Sequence, residues 1–382
     1  MEDAIHPGSV WLMRAAALDQ LLASLRGAGY RVIGPTVRDG AIILDELTAA
    51  SDLPFGWGVQ LEPGGYRLRR RSDSAAFGHS AGPQSWKQFL HPPREKLWSV
   101  DLSGGTFEAG DSAAPPRLAF FGVRPCDLRA IEIQDQVLGS GQGNSRYAAR
   151  RGAILNVAVN CTEPGETCFC ASMGTGPAAG PGYDLSLTEL VTGEQHDFLV
   201  DVGTPAGASV LASVPHTPAS AGTTDGARAA VAGAAQRMGR SMPAEGLREL
   251  MAGSHNADRW NDVASRCLTC GNCTLACPTC FCTAVEDITD VTGDHAERWQ
   301  HWASCFDVDF SYLHGGSVRV SGQSRYRQWL THKLGTWHDQ FGSSGCVGCG
   351  RCIVWCPVGI DLTEEVAALQ AETGQAGPDI TP

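Results

Sequence analysis

No run of 18 or more apolar residues occurs in this 382-residue chain, so no segment reads as a membrane-spanning helix. Positive charge is scarce. Only 29 Lys and Arg stand against 41 Asp and Glu, and the formal net charge of −12 argues against a nucleic-acid partner, which needs a basic footprint. The one local exception, RLRRR at Arg67 to Arg71, reads as a strand end or a solvated face, with partner docking as the alternative. The opening MEDAIHPGSV is acidic and lacks the basic and apolar regions of a secretory signal, which predicts a cytoplasmic protein. No GxGxxG follows a predicted strand and no P-loop occurs; GPQSWK (82–87) and GQGNS (141–145) are glycine signals of ordinary turns. No catalytic triad or paired carboxylates stand out, and Glu132 and Asp135 read as exposed helix positions. Nor does a CxxC pair sit near the chain ends, as a nickel-type bimetallic site needs.

What the chain has is cysteine. It carries 15, an odd number, and in a reducing cytosol these read as metal ligands rather than disulfides. The remaining composition, 43% hydrophobic and 18% charged, is that of a globular protein long enough for two or three domains.

The hydrophobic patterning predicts an α+β fold. Residues 1–170 read as a mixed α/β domain, 171–242 as a Gly/Ala/Pro-rich connecting region, 243–372 as a mostly helical domain, and 373–382 as a tail. Helices are expected at 11–29, 126–138, 243–266, 294–306, 324–341 and 361–372. The last has Asp361 and Glu364 in capping-box spacing. Strands are expected at 30–35, 41–47, 117–123, 153–160 and 194–203, with one strand–helix–strand unit between 117 and 160. The stretches 173–182 and 203–230 read as irregular surface connections.

Two cysteine runs carry the chemistry. Cys267, Cys270, Cys273 and Cys277 precede Pro278 with spacing CxxCxxCxxxCP, and Cys346, Cys349, Cys352 and Cys356 precede Pro357 in the same way. Three thiolates at three-residue intervals wrap one cubane, and the fourth, turned away by the proline, ligates the neighbouring one. The spacing therefore predicts a bacterial-type 2[4Fe–4S] ferredoxin module. One cluster takes Cys267, Cys270, Cys273 and Cys356, and the other takes Cys346, Cys349, Cys352 and Cys277. Zinc sites have no use for such a run. Between the runs, Trp299, Trp302, Trp329 and Trp337 read as core, and His295, His301, His332 and His338 as surface or hydrogen-bonded residues rather than ligands.

Seven cysteines remain. Cys126, Cys161, Cys168 and Cys170 form a set of four that suits a third cubane; a zinc site held by all four thiolates and reduced thiols packed as small apolar groups are the alternatives. Cys280, Cys282 and Cys305 lack a fourth thiol and read as packing around the clusters. The tetrapeptide TCFC thus occurs twice, at 167–170 and 279–282, with metal expected only at the first. The whole chain reads as equipped to move electrons rather than to transform a substrate.

The motifs GVRPCDLRAIEIQD, NCTEPGETCFCASMGTGP, CLTCGNCTLACPTCFCTAVEDITD, WASCFDVDFSYLHGGSVR and GCVGCGRCIVWCPVGIDLTEEV resemble the β subunit of soluble cytoplasmic NAD(P)-linked [NiFe]-hydrogenases, or sulfhydrogenases. The A subunit of anaerobic sulfite reductase shares much of the pattern. The likeness runs from about residue 20 to 372 and finds no motif at 203–242. It implies a non-catalytic electron-transfer subunit. Its partners would be the hydrogenase small and large subunits and a flavin subunit that binds NAD(P).

Overall fold

The computed structural model describes residues 4–80, 82–109, 114–139, 144–243 and 245–374; the glycines within 141–143 and most of the expected tail lie outside them. Eight strands form the main sheet. Their order is Thr217–Pro218, Val10–Arg14, Gln195–Val202, Leu185–Thr192, Ile154–Val159, Leu118–Val123, Arg31–Arg38 and Ala41–Glu46. Leu185–Thr192, Ile154–Val159, Leu118–Val123 and Arg31–Arg38 run parallel, and the strands outside them pair antiparallel. A parallel centre covered on both faces requires apolar strands on both sides, and LAFFGV at 118–123 is buried at every position. One face packs on the helix Leu18–Gly27, whose Leu18, Leu21, Leu22 and Leu25 fall on a single stripe. The other face packs Phe120, Leu118 and Val123 against Trp86, Leu90 and the helix Pro125–Gly139. The expected strand–helix–strand unit is present, its strands adjacent and parallel.

Three local expectations are corrected. Residues 294–306 are not helical: His295–Trp302 is a strand that pairs with Arg94–Asp101 on one side and Thr283–Thr289 on the other. Thr106–Ala109 completes this second, four-stranded sheet. Val10–Arg14, which overlaps the helix expected from residue 11, is a strand against Gln195–Val202, and the helix begins at Leu18. The 203–230 stretch is not irregular. It holds the helix Pro205–Leu211, capped by Thr204, and most of Ala221–Ala235, capped by Ser220. Asp135 is also not merely exposed: it accepts from Tyr147 Oη at 2.7 Å and pairs with Arg151 at 3.0 Å, tying two helices together.

The second cysteine run sits where these parts meet. Helices Leu247–Gly253, Arg259–Arg266, Gly322–Thr331 and Leu362–Thr373 bury Trp260, Tyr326, Trp329, Leu334 and Val366 in one core. The hairpin of Trp57–Glu62 and Gly65–Arg70 closes over the second run, with Tyr66 stacked on Trp355 at 5.4 Å. Among the described residues no helix is long and apolar enough to cross a membrane.

Candidate metal centres

The two cysteine runs repeat one backbone conformation. Two residues past the first cysteine, Thr269 (φ 52°) and Gly348 (φ 65°) are left-handed; two further on, Gly271 (φ 75°) and Gly350 (φ 73°) are left-handed again. Each second glycine starts a short helix, Asn272–Leu275 or Arg351–Val354, that carries the third cysteine. The first turn aims a backbone N–H at a sulfur in both runs: Thr269 N to Cys267 Sγ and Gly348 N to Cys346 Sγ, each at 3.4 Å. Ile360 N donates likewise to Cys356 Sγ at 3.3 Å.

Threonine is tolerated at one of these positions and glycine is required at the other. A Cβ at Gly348 would lie 2.6 Å from the Cys170 backbone nitrogen, and one at Gly350 would lie 2.4 Å from the Thr167 carbonyl. The first TCFC loop is pressed onto the second run, joined by Phe169 N to Gly348 O at 2.9 Å and Thr175 Oγ1 to Val347 O at 2.6 Å. Gly348→Ala is therefore expected to lower stability by at least ~2 kcal/mol, combining left-handed strain with a backbone clash. Gly271→Ala, whose Cβ would meet side chains rather than backbone, the nearest being Ser304 at 3.1 Å, should cost less. Denaturant midpoints of the two iron-loaded variants check the order.

Cys267, Cys270, Cys273 and Cys356, the set expected to share a cluster, line one cavity together with Cys352. Its walls are apolar, including Leu268, Phe306, Tyr326 and Trp329. The thiols surround a space rather than a point: among the described residues no three His, Cys, Asp or Glu side chains group closely enough to hold a single ion. Cys270 is exposed and the other three are half-buried. Burial, reinforced by neighbouring thiols, pushes Cys273 and Cys267 above the usual thiol range. Such a donor set gains most from iron, which deprotonates a coordinating thiol outright. The residues fit a cubane.

Cys346, Cys349 and Cys277 bear electrostatically on Cys352, which itself lines the edge of this cavity. Burial pushes Cys352 well above its usual range, and Cys346, Cys349, Cys277 and Cys273 each add to it, so Cys352 lies between the two groups. Cys346 is pushed by burial to about 12. Cys277 goes the other way: the Cys280 thiol and the Lys333 ammonium hold it well below the usual range. Lys333 is itself buried, and Cys277, Cys280 and Cys346 outweigh burial to hold its proton.

The remaining four expected ligands come from three places in the fold, and Cys126 and Cys170 share one buried cluster. Cys126 stands in the first turn of the helix Pro125–Gly139, where the helix dipole favours a thiolate, and Cys161 follows the strand Ile154–Val159. Cys168 and Cys170 come from the loop lying on the second run. Burial raises Cys126, Cys168 and Cys170, Cys168 to about 12; Cys161 influences Cys168 and Cys170, and Cys170 influences Cys126. Cys349 acts on all three raised thiols, so this quartet adjoins the second run. Two cations that spacing does not reveal complete the place. Arg124 donates to Cys161 Sγ at 3.6 Å and to the carbonyls of Phe77 and His79. Arg351 forms a buried two-point pair with Asp127 at 2.7 and 2.9 Å.

The second TCFC copy has different neighbours. Thr279 Oγ1 donates to Gly345 O at 2.6 Å, and Lys87 Nζ donates to Cys280 O at 3.1 Å while lying 3.8 Å from the Trp302 ring centroid. Cys305, like Cys273, is partly buried against the helical core. Of the four tryptophans expected as core, Trp329 and Trp337 are buried, whereas Trp299 and Trp302 lie on the second sheet beneath Arg94 and Lys87. His295 pairs with Glu297 and His332 with Gln340.

Residues 266–360 match the family model of a 4Fe-4S dicluster domain. Over 278 residues the chain is 32% identical to the sulfhydrogenase 2 subunit beta of Pyrococcus furiosus, covering 72% of this chain and 79% of that one. No solved structure matches the chain.

Proposed function

The chain belongs to the iron–sulfur family of hydrogenase β subunits, and from that premise we propose that it relays electrons between a hydrogen-splitting nickel–iron module and a flavin subunit that binds NAD(P). It is an iron–sulfur electron-transfer subunit of a multi-subunit hydrogenase, with two [4Fe–4S] clusters. When bound, each cluster supplies one-electron chemistry without moving a proton.

On this reading Cys267, Cys270, Cys273 and Cys356 hold one cluster, and Cys277, Cys346, Cys349 and Cys352 the other. Cys126, Cys161, Cys168 and Cys170 hold a third, and the complex works in the cytoplasm. The observation that carries the reading is the crossing of the runs: Cys356, from the second, lines the cavity of Cys267, Cys270 and Cys273 from the first. Such a crossing sets two clusters side by side, as a relay needs. Phe306, Tyr326 and Trp329 exclude water from the cavity, and Cys270 stays at the surface, where an electron can enter or leave.

Partner composition tests the proposal. Isolated from its native host by a tag on this chain, the complex is expected to contain nickel, flavin and iron. Sirohaem in place of nickel would overturn the hydrogenase reading in favour of a sulfite reductase.

A further inference from the structure

We propose that Lys333 sets the reduction potential of the cluster held by Cys277, Cys346, Cys349 and Cys352; this rests on the ligand assignment above. The lysine is 3% exposed, and its ammonium meets three acceptors: Cys277 Sγ at 3.3 Å, Thr279 Oγ1 at 3.2 Å and Gly345 O at 3.3 Å. Three N–H groups and three partners leave it no reason to swing away.

The backbone is built to hold it there. Lys333 lies in a π-helical turn, His332–Thr336, inserted between the helices Gly322–Thr331 and Trp337–Phe341. Such single-turn insertions break the regular ladder and recur at functional sites. The Lys333 carbonyl accepts from Gly345 N at 2.8 Å and from Ser344 Oγ at 3.3 Å, so backbone and side chain together grip the segment leading into Cys346. Trp337 closes the outside: a Cβ at Gly345 would lie 2.5 Å from its ring.

Among the described residues no other lysine does this. Lys87 is equally buried but spends its hydrogen bond on the Cys280 carbonyl, not on a ligand sulfur. At the neighbouring cavity, the hydrogen bonds to Cys267 and Cys356 come from backbone N–H groups. Reduction, [4Fe–4S]2+ plus one electron giving [4Fe–4S]+, adds negative charge to a buried centre and moves no proton. A cation and an N–H···S bond at a ligand sulfur stabilise the reduced form more than the oxidised one, which raises the potential.

The test uses the full complex under an EPR-monitored titration with dithionite and redox mediators, alongside iron analysis. Lys333→Met is expected to keep the full iron content while one cluster becomes at least tenfold harder to reduce at a given potential, a fall of about 59 mV for one electron. Lys333→Gln, which keeps a donor but loses the charge, should fall part of the way. The signal that moves should be the one altered by Cys277→Ser. Full iron with every midpoint unmoved would overturn the role of Lys333 and leave the ligand assignment standing. If Cys277→Ser alters no cluster signal, the assignment itself fails. Loss of about four irons in both lysine variants would make Lys333 a structural support and also overturn the proposal.

Discussion

Cys270→Ala is expected to abolish hydrogen-dependent reduction of NAD(P) by the assembled complex while leaving hydrogen-driven reduction of an artificial dye at the partner subunits intact. Cys270 is the exposed member of the four thiols around the apolar cavity. Removing it takes away one of four thiolates, and the mutual crossing of the runs leaves no spare cysteine of the same geometry to replace it. Loss of an outer-sphere partner typically costs a metal site about 10–100-fold, and loss of a ligand should exceed that. The split between the two activities matters more than the size of the loss. A relay variant interrupts only electrons that must pass through this chain, so dye reduction serves as the internal control. If both activities survived unchanged, this chain would not lie on the path.

The second large effect separates the two TCFC loops. Cys168→Ala and Cys170→Ala are expected to lower the iron content from about twelve to about eight per chain, because three cubanes become two. Cys280→Ala and Cys282→Ala should leave about twelve. The physical distinction lies in what each loop faces. Cys170 shares a buried cluster with Cys126, and Cys349 of the second run packs against it. Cys280 instead hydrogen-bonds Cys277, a thiol that the proposed reading assigns to the second cluster, and its carbonyl is held by Lys87. A count of eight in the unmodified protein would remove the third cluster and leave the ferredoxin pair untouched.

The ferredoxin ligands are legible in sequence because their information is local: spacing, nearby glycines and a closing proline describe a wrap around one object. The N-terminal quartet is legible only by subtraction. Its members come from a helix start, a strand end and a loop, and the parallel pairing of Leu118–Val123 with Ile154–Val159 sets the first two at the same end of adjacent strands. Where pairing is distant, sequence pattern misleads. His295–Trp302 carries aromatic and charged residues that suit a helix face, yet its register is dictated by Arg94–Asp101, about two hundred positions away. Val10–Arg14 reads as part of an alanine-rich helix for the same reason, since its partner Gln195–Val202 is remote. The roles of Lys333, Arg124 and Arg351 leave no trace in the pattern. SRYRQWLTHKLGTW reads as an ordinary helix, and only the π turn buries the lysine.

The central question is whether electrons from hydrogen pass through this chain. Freeze-quench EPR of the whole complex, first under hydrogen and then after addition of NADP+ or NAD+, reads this directly. The predicted result is that the signals altered by Cys270→Ala and Cys277→Ser become reduced under hydrogen and are reoxidised by the nicotinamide within turnover. Clusters that stay oxidised under hydrogen, or that stay reduced while the nicotinamide turns over, would contradict it.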